Sequence, residues 1–337
     1  MIEIDGSYKE GGGQIIITAS GLSALTGESF RIFNIRSGRE NPGLEEHHFQ
    51  AIKAIKKLCN AEVKGLELGS TELEFKPGKI TKKQLSIDIR TAGSTALVLQ
   101  ALLIPAVKHS LRIDINGGAT FNLWAPSIPY LQNILCFILG SFGYDVNIRI
   151  DRHGFYPKGG ARVFAQTKEA KELLAVNLEK QGKLIGISGT SYASEQLKKG
   201  QVAERQKNSA IKLLSELECP IYIDVNYVNS ICPGSGIFLK ADFENCVLGY
   251  DVVGEKGKYS EKVGEETAKG LINEIESGAT LDKFMTDQIL PYMALTDHDS
   301  KVRVMEVTNH AQTNIWLIEK FLPVKFEVKE NIIECKH

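Results

Sequence analysis

One order of elements is written three times along this chain, and such self-similarity constrains the fold more than any single motif. In the first copy the apolar pattern of residues 14–25 predicts a helix, the alternation Arg31-Ile-Phe-Asn-Ile-Arg36 a strand, and Ser37-Gly38 a turn. A second helix follows, because Phe49, Ile52, Ile55 and Leu58 recur at helical spacing. Residues 62–75 then read as two strands closed by Pro77-Gly78. The second copy runs from a helix at 94–107 through a strand at 112–115, the turn Asn116-Gly-Gly118 and a helix at 130–142 to strands at 144–150 and 161–164. The third has a helix at 287–295, a strand at 303–307, a helix at 313–321 and strands at 324–328 and 331–334.

Arg31 and Arg112 open equivalent strands roughly 80 residues apart, whereas Arg112 and Arg303 lie roughly 190 apart, so about 110 extra residues separate copies two and three. An inserted unit accounts for the excess. Its pattern is a strand at 184–187, a helix at 204–217, a strand at 221–228, strand-like runs at 236–243 and 246–253, and a helix at 262–276, which makes a small α/β unit. The length of 337 residues also exceeds the size at which one core stops growing. The expected architecture is therefore α/β (α+β). Residues 1–182 with 279–337 form three stacked βα repeats burying a shared core, and residues 183–278 form a smaller inserted domain. In such a stack the strand-to-helix turns converge on one side, gathering segments 10–14, 36–39, 92–95 and 309–310.

Lys and Arg (40) nearly cancel Asp and Glu (41), so any nucleic acid has to be gripped by a local basic patch. The six cysteines are scattered, with no Cys-x-x-Cys pair and no His at ligand spacing, and read as reduced structural residues. Met1 leads into Ile2 and Ile4 without a basic and then apolar leader, and no apolar run approaches a membrane span; the cytoplasm is the expected compartment.

Several residue groups suit chemistry. His310 lies between a strand and an amphipathic helix, where helix N–H groups welcome phosphate oxygens. A neutral imidazole there is either a nucleophile toward phosphorus or a capping or core histidine. In Glu10-Gly-Gly-Gly-Gln14 the glycines let backbone approach a ligand, or simply make a tight turn; the motif is neither a P-loop nor a dinucleotide fingerprint. Glu10 suits a divalent ion or a ribose. Arg36 and Arg39 flank a turn and can fork onto phosphate, or stand solvated. Ala92-Gly-Ser-Thr95 opens a helix that bears Gln100, an anion site or an ordinary cap. The loop Arg152-His-Gly-Phe-Tyr-Pro-Lys-Gly-Gly160 suits a single-stranded nucleic acid end, or is a hairpin with an aromatic plug.

These residues together resemble the RNA 3′-terminal phosphate cyclases over essentially the whole chain. The likeness is carried by Asp5-Gly6, Glu10-Gly-Gly-Gly-Gln14, Ile35-Arg-Ser-Gly-Arg39, Pro42-Gly-Leu44, Thr91-Ala-Gly-Ser94 and Leu97-Val-Leu-Gln100. It continues in His153-Gly-Phe-Tyr-Pro157, Gly254-Glu-Lys256, Asp287-Gln288 and Thr313-Asn314 after His310. The resemblance implies three copies of a fold like the C-terminal domain of a bacterial translation initiation factor, plus an inserted α/β domain. It also implies an ATP-dependent, ligase-type nucleotidyl transfer assisted by a divalent metal, Mg or Mn. A histidine takes AMP, passes it to an RNA 3′-phosphate, and the vicinal 2′-hydroxyl displaces it to leave a 2′,3′-cyclic phosphodiester. On this basis His310 is the nucleophile and Glu10 a metal or ATP ligand. Gln100, Asp287 and Gln288 bind ATP, Pro126 and Phe284 sandwich adenine, and Arg36, Arg39 and Gln14 bind phosphates of nucleotide or RNA.

Two departures bear on rate and metal geometry. Ile17 stands where such cyclases carry an arginine, removing one cation, and Pro129 stands where an aspartate is common; Ala119 and Ala161 also replace typical Thr and Gly. Two other readings compete. A non-catalytic cyclase-like protein of ribosome biogenesis would lack the nucleophilic histidine. An enolpyruvyl-type transferase, also built of stacked βα repeats, gives the Asn309-His310 turn no role.

Overall fold

Each copy is a βαβαββ unit, in the computed structural model, which describes residues 1–123 and 125–337. Copy one consists of β1 (Ile2–Asp5), α1 (Gln14–Thr26), β2 (Phe30–Phe33), α2 (Glu46–Cys59), β3 (Glu62–Lys64) and β4 (Leu73–Lys76). β1 and β2 run parallel, β2 and β4 antiparallel, and β4 pairs with β3, giving the order β1-β2-β4-β3. Copy two comprises β5 (Gln84–Ser94), α3 (Thr95–Ala106), β6 (Arg112–Ala119) and a composite second helix. That helix passes from α4 (Ile128–Tyr130) through a π-helical turn (Leu131–Leu135) into α5 (Cys136–Ser141), and β7 (Val146–Arg152) and β8 (Arg162–Thr167) follow. Its sheet, β5-β6-β8-β7, repeats the first order.

Copy three begins with β9 (Asn177–Leu178) and is then interrupted. The interruption holds β10 (Leu184–Ser194), a 3-10 turn (Glu195–Gly200), α6 (Val202–Leu214), β11 (Ile221–Val228), β12 (Ser235–Phe243), β13 (Val247–Val253) and α7 (Ser260–Glu276). The copy resumes with α8 (Lys283–Met293), β14 (Ser300–Arg303), α9 (Asn309–Phe321), β15 (Lys325–Lys329) and β16 (Ile332–Lys336). Its sheet, β15-β16-β14-β9, is the same order read backwards, whereas the interrupting segment has another, β11-β10-β12-β13. The extra residues therefore lie within copy three, between its first strand and first helix, rather than between copies.

α1 is buried without a break from Ile15 to Ala24 and α3 is apolar nearly all round, which suits interior helices. They pack on each other, α2 joins both, α9 packs on α1, and α8 packs on α3. One apolar core runs through all three copies, from Ile4 to Cys335. The interrupting segment has its own, built around Ile187, Leu214, Ile223, Leu239 and Leu271.

Three segments depart from the sequence pattern. Residues 303–307 alternate as a strand should, yet β14 is Ser300–Arg303, and its buried and half-buried positions alternate in step with those of β2, so Lys301 rather than Arg303 is the counterpart of Arg31. α9 starts at Asn309 rather than 313, which puts His310 in its first turn. Asn116-Gly-Gly118 is strand, not turn: Gly117 has φ 88°, and a Cβ there would lie 1.9 Å from the Ile89 carbonyl oxygen, so the left-handed step lets β6 pass β5. Among the described residues no helix is long and apolar enough to cross a membrane.

Candidate active site

The triple-glycine turn after β1 is held by α9 and by α2. Tyr8 stacks on Trp316 of α9 with ring centroids 4.2 Å apart, and Lys9 Nζ donates to Gln312 Oε1 on the same helix. On the opposite side a Cβ on Gly13 would fall 1.6 Å from His48 Nε2, and one on Gly12 would fall 2.0 Å from Glu10 Oε2. An imidazole and a carboxylate thus occupy the space that side chains would need. His48 sits in the first turn of α2, where its Nδ1 accepts the Glu45 N–H at 3.3 Å, so the neutral ring carries its proton on Nε2. Burial, aided by His47 and the Arg36 cation, pushes its pKa down to about 2.

Glu10 is where copies one and three meet. Arg39 Nη2 donates to Glu10 Oε1 and, at 3.2 Å, to the Glu10 carbonyl. His310 Nε2 lies 3.6 Å from the same Oε1. Glu10 Oε2 is buried and has no hydrogen-bond partner among the described residues. His310 is neither cap nor core: the cap of α9 is Thr308, whose Oγ1 accepts the Ala311 N–H at 3.0 Å, and the His310 side chain is 49% exposed.

A crevice of about 20 Å³, room for one water, adjoins this group. Gln14 and Ile17 of α1, Gln100 of α3 and Asp287 and Gln288 of α8 line it. Gln100 Nε2 donates to Gln288 Oε1 across it. Burial raises the Asp287 carboxyl to about 6, while the His310 imidazole pulls the other way. Asn314, one turn beyond His310, donates to the Asp287 carbonyl at 3.0 Å, and its Oδ1 is buried without a partner among the described residues. Phe284, one turn before Asp287 on α8, meets Tyr130 edge-on at 6.1 Å and lies under the Lys283 ammonium at 4.9 Å. Gln288 Nε2 donates to its carbonyl. Pro126 precedes Ser127, whose Oγ caps α4 by accepting the Tyr130 N–H at 3.1 Å.

The structure thus groups Glu10, Arg39 and His310, and beside them Gln14, Gln100, Asp287 and Gln288. Other residues lie elsewhere. Arg36, in a left-handed conformation (φ 54°), spends its guanidinium on the carbonyls of Asn41 (2.9 Å) and Gly43 (3.0 Å) and on the Glu45 carboxylate. The loop at 152–160 is a plug: Phe155 is buried, stacks on Phe121 at 6.1 Å and accepts from Cys232 Sγ at 3.2 Å, and His153 Nδ1 lies 2.9 Å from Thr120 Oγ1. Residues 92–94 end β5 rather than form a turn, Ser94 Oγ caps α3 by accepting the Leu97 N–H at 3.2 Å, and the strand meets this plug at Thr91, whose carbonyl oxygen would lie 2.8 Å from a Cβ on Gly159. The sequence pattern passes over His48, although Glu45-Glu-His-His48 at a helix start is an unusual run. Glu45, His47 and His48 bring ligand-type atoms within 4.8 Å of one another, but Arg36 holds the carboxylate and the Glu45 backbone holds His48 Nδ1.

A triplicated α/β body, split in its third copy, with a histidine at a helix start, which suits phosphate, and a carboxylate and an arginine beside it, defines the class of protein. The sequence profile of the RNA 3′-terminal phosphate cyclases matches residues 8–328. A protein of that name from Pyrococcus furiosus is 44% identical over 339 residues, covering 99% of this chain and 97% of the relative. Its namesake from Methanothermobacter thermautotrophicus is 44% identical over 331 residues (98% and 96%), and that from Methanosarcina barkeri 40% over 338 (99% of each). The chain belongs to the RNA 3′-terminal phosphate cyclase family.

Proposed function

We propose that this chain converts an RNA 3′-phosphate to a 2′,3′-cyclic phosphodiester using ATP, with His310 as the nucleophile. The observation that carries the reading is the half-exposed His310 imidazole in the first turn of α9, 3.6 Å from a carboxylate that Arg39 holds in place. The ring nitrogen attacks the α-phosphorus of ATP; an N–P bond forms, the α–β anhydride breaks and pyrophosphate leaves. An oxygen of the RNA 3′-phosphate then attacks the same phosphorus, breaking the N–P bond and restoring the imidazole. The adjacent 2′-hydroxyl closes on the terminal phosphorus, AMP departs with the bonding pair, and the hydroxyl proton goes to solvent. The last step gains from a nucleophile already held beside its target.

Around that chemistry, the N–H groups that open α9 and the Arg39 cation face developing phosphate charge. Gln14, Gln100, Asp287 and Gln288 hold the nucleotide, with Pro126 and Phe284 flanking adenine. Gln100 and Gln288, hydrogen-bonded to each other beside the crevice, carry amide groups that can turn to a nucleotide. Arg36 supports the loop before α2 rather than touching phosphate. Glu10 also fits a divalent cation such as Mg or Mn, since its buried Oε2 is a hard oxygen without a protein partner among the described residues. Such an ion, when bound, would neutralise phosphate charge. Ile17 leaves the crevice without the arginine, and Lys9 does not replace it, being bonded to Gln312 on α9. We take residues 1–182 with 279–337 as the catalytic body and 183–278 as an inserted domain.

Incubation with α-labelled ATP and Mg or Mn is expected to give an acid-labile, alkali-stable protein adduct that is absent in His310→Ala. RNA ending in 3′-phosphate is expected to become phosphatase-resistant in the same mixture. A wild-type chain without adduct would leave the non-catalytic alternative.

A further inference from the structure

With cationic and acidic side chains nearly equal in number, nucleic acid has to be held by a local patch, and the outer side of copy one carries such a patch. α2 buries Ile52, Ile55 and Leu58. Its other side presents Phe49, Lys53, Lys56 and Lys57 at i, i+4, i+7 and i+8. With Lys82 and the β3 segment these side chains wall an open groove of about 760 Å³, well apart in size from the water-sized crevice of the site.

Four lysines against one carboxylate, Glu67, leave the groove lining with a net charge of +3. Lys53 Nζ stands 5.7 Å from the centre of the half-buried Phe49 ring. Lys57 Nζ donates to the Ser86 carbonyl at 2.6 Å and Lys82 Nζ to that of Lys57, which fixes two ammonium groups at the rim with N–H donors to spare. The groove and the site share one helix, since α2 carries Phe49 on the groove and, in its first turn, His48, the residue that abuts Gly13. From Phe49 the stripe runs about 16 Å along α2 to Asn60, rising about 6 Å per four residues, the scale of successive phosphates on an extended strand.

We propose that this groove binds the single-stranded RNA body upstream of the 3′-phosphate, with lysines on successive phosphates and an unpaired base on Phe49. The inference rests on the cyclase reading and adds the path of its substrate. A ring half open to the groove favours an unpaired base over a duplex, whose bases are already stacked.

The test compares wild type with Lys53→Glu/Lys56→Glu and Lys53→Gln/Lys56→Gln, each first shown to melt at the wild-type temperature. Binding of a labelled RNA of about 12 nucleotides ending in 3′-phosphate is followed by fluorescence anisotropy across a salt series. The Glu variant is expected to bind at least tenfold more weakly, and the Gln variant to lower the slope of log affinity against log salt by about 1.4, or about 0.7 for each lost phosphate contact. A dinucleotide 3′-phosphate, too short to reach the lysines, is expected to be cyclised within about twofold of wild type. Unchanged affinity for the longer RNA overturns the proposal. So does equal loss for a duplex of the same length, or displacement of the RNA by polyglutamate as readily as by unlabelled RNA. If wild type forms no adduct and cyclises no dinucleotide, the activity reading falls, while the binding series still decides the groove.

Discussion

Gly13 and His48 divide one small volume between them, and that division explains why a glycine stands where backbone geometry alone would accept any residue. Gly13 has φ −71°, an ordinary right-handed value. What excludes a side chain is the imidazole, whose Nε2 would lie 1.6 Å from the added Cβ. Gly13→Ala is therefore expected to destabilise the chain by about 1–3 kcal/mol and to slow adduct formation by displacing Glu10. In a His48→Ala background the same substitution should cost well under half as much, a coupling measured by urea unfolding of the four chains of the cycle. An additive result would show that the ring does not set the turn. The sequence makes His310, Glu10 and the glycines visible as candidates, because a histidine at a helix start and a carboxylate beside three consecutive glycines both suit phosphate chemistry. It does not reveal that Glu10 is shared by Arg39 and His310, or that His48 backs the glycines, since such pairings join residues remote in sequence. It also does not show that, of two arginines flanking one turn, Arg36 bonds the carbonyls of Asn41 and Gly43 whereas Arg39 bonds Glu10.

At the scale of elements, a helix is legible where apolar periodicity reaches its end and hidden where a polar cap begins it. Thr308-Asn-His-Ala-Gln carries little apolar period, so α9 seems in sequence to start at 313, yet Thr308 is a side-chain cap that starts it at Asn309. Strands end where partners end. β14 stops at Arg303 because β16 begins at Ile332, beyond the hairpin whose Glu330 is left-handed, and β9 offers pairing only to Lys301 and Val302. β5 alternates from Leu85 to Ile89, yet the sequence reading opens the second copy only at the helix that follows it, and the two residues of β9 carry no period at all. Under the proposed function the cap of α9 bears on activity, since it orders the turn that carries His310. Thr308→Ala is expected to cost about 1 kcal/mol and to slow adduct formation beyond what the lost folded fraction explains. Thr308→Ser should restore both in thermal melts and labelling rates, whereas failure of Ser to rescue would assign the loss to the methyl group rather than to the cap.

Across the whole molecule, repeat arithmetic points to extra residues between copies two and three, whereas β9 pairs with β14 and so places the segment with its own sheet inside copy three. That segment meets the body at buried carboxylates. Asp251 of β13 accepts the Ser127 N–H at 2.7 Å, and Asp282, which caps α8, accepts from Gly249 N at 2.9 Å and from Tyr130 Oη at 2.5 Å. Glu274 of α7 accepts the Lys283 N–H at 3.3 Å through Oε1, and its Oε2 is buried with no partner among the described residues. Burial, with repulsion from Asp282 and Glu306 outweighing the Lys283 cation, raises Glu274 from 4.5 to about 7. The folded chain thus keeps a proton that the unfolded chain loses near 4.5. The stabilising contribution of that proton is complete below about 4.5 and is lost as pH rises through about 7. Asp251 and Asp282, each raised to about 6, act in the same sense, while His48 and His153, lowered to about 2 and about 4, destabilise as pH falls below 6.5. Glu274→Gln isolates one member of this set, because the amide keeps the Oε1 acceptor and never ionises. Urea unfolding should find the variant close to wild type at pH 5 and more stable by on the order of 1–3 kcal/mol at pH 8. Equal stability at pH 8 would mean that the carboxylate reaches water when ionised, and that the insert and the body part there at little cost.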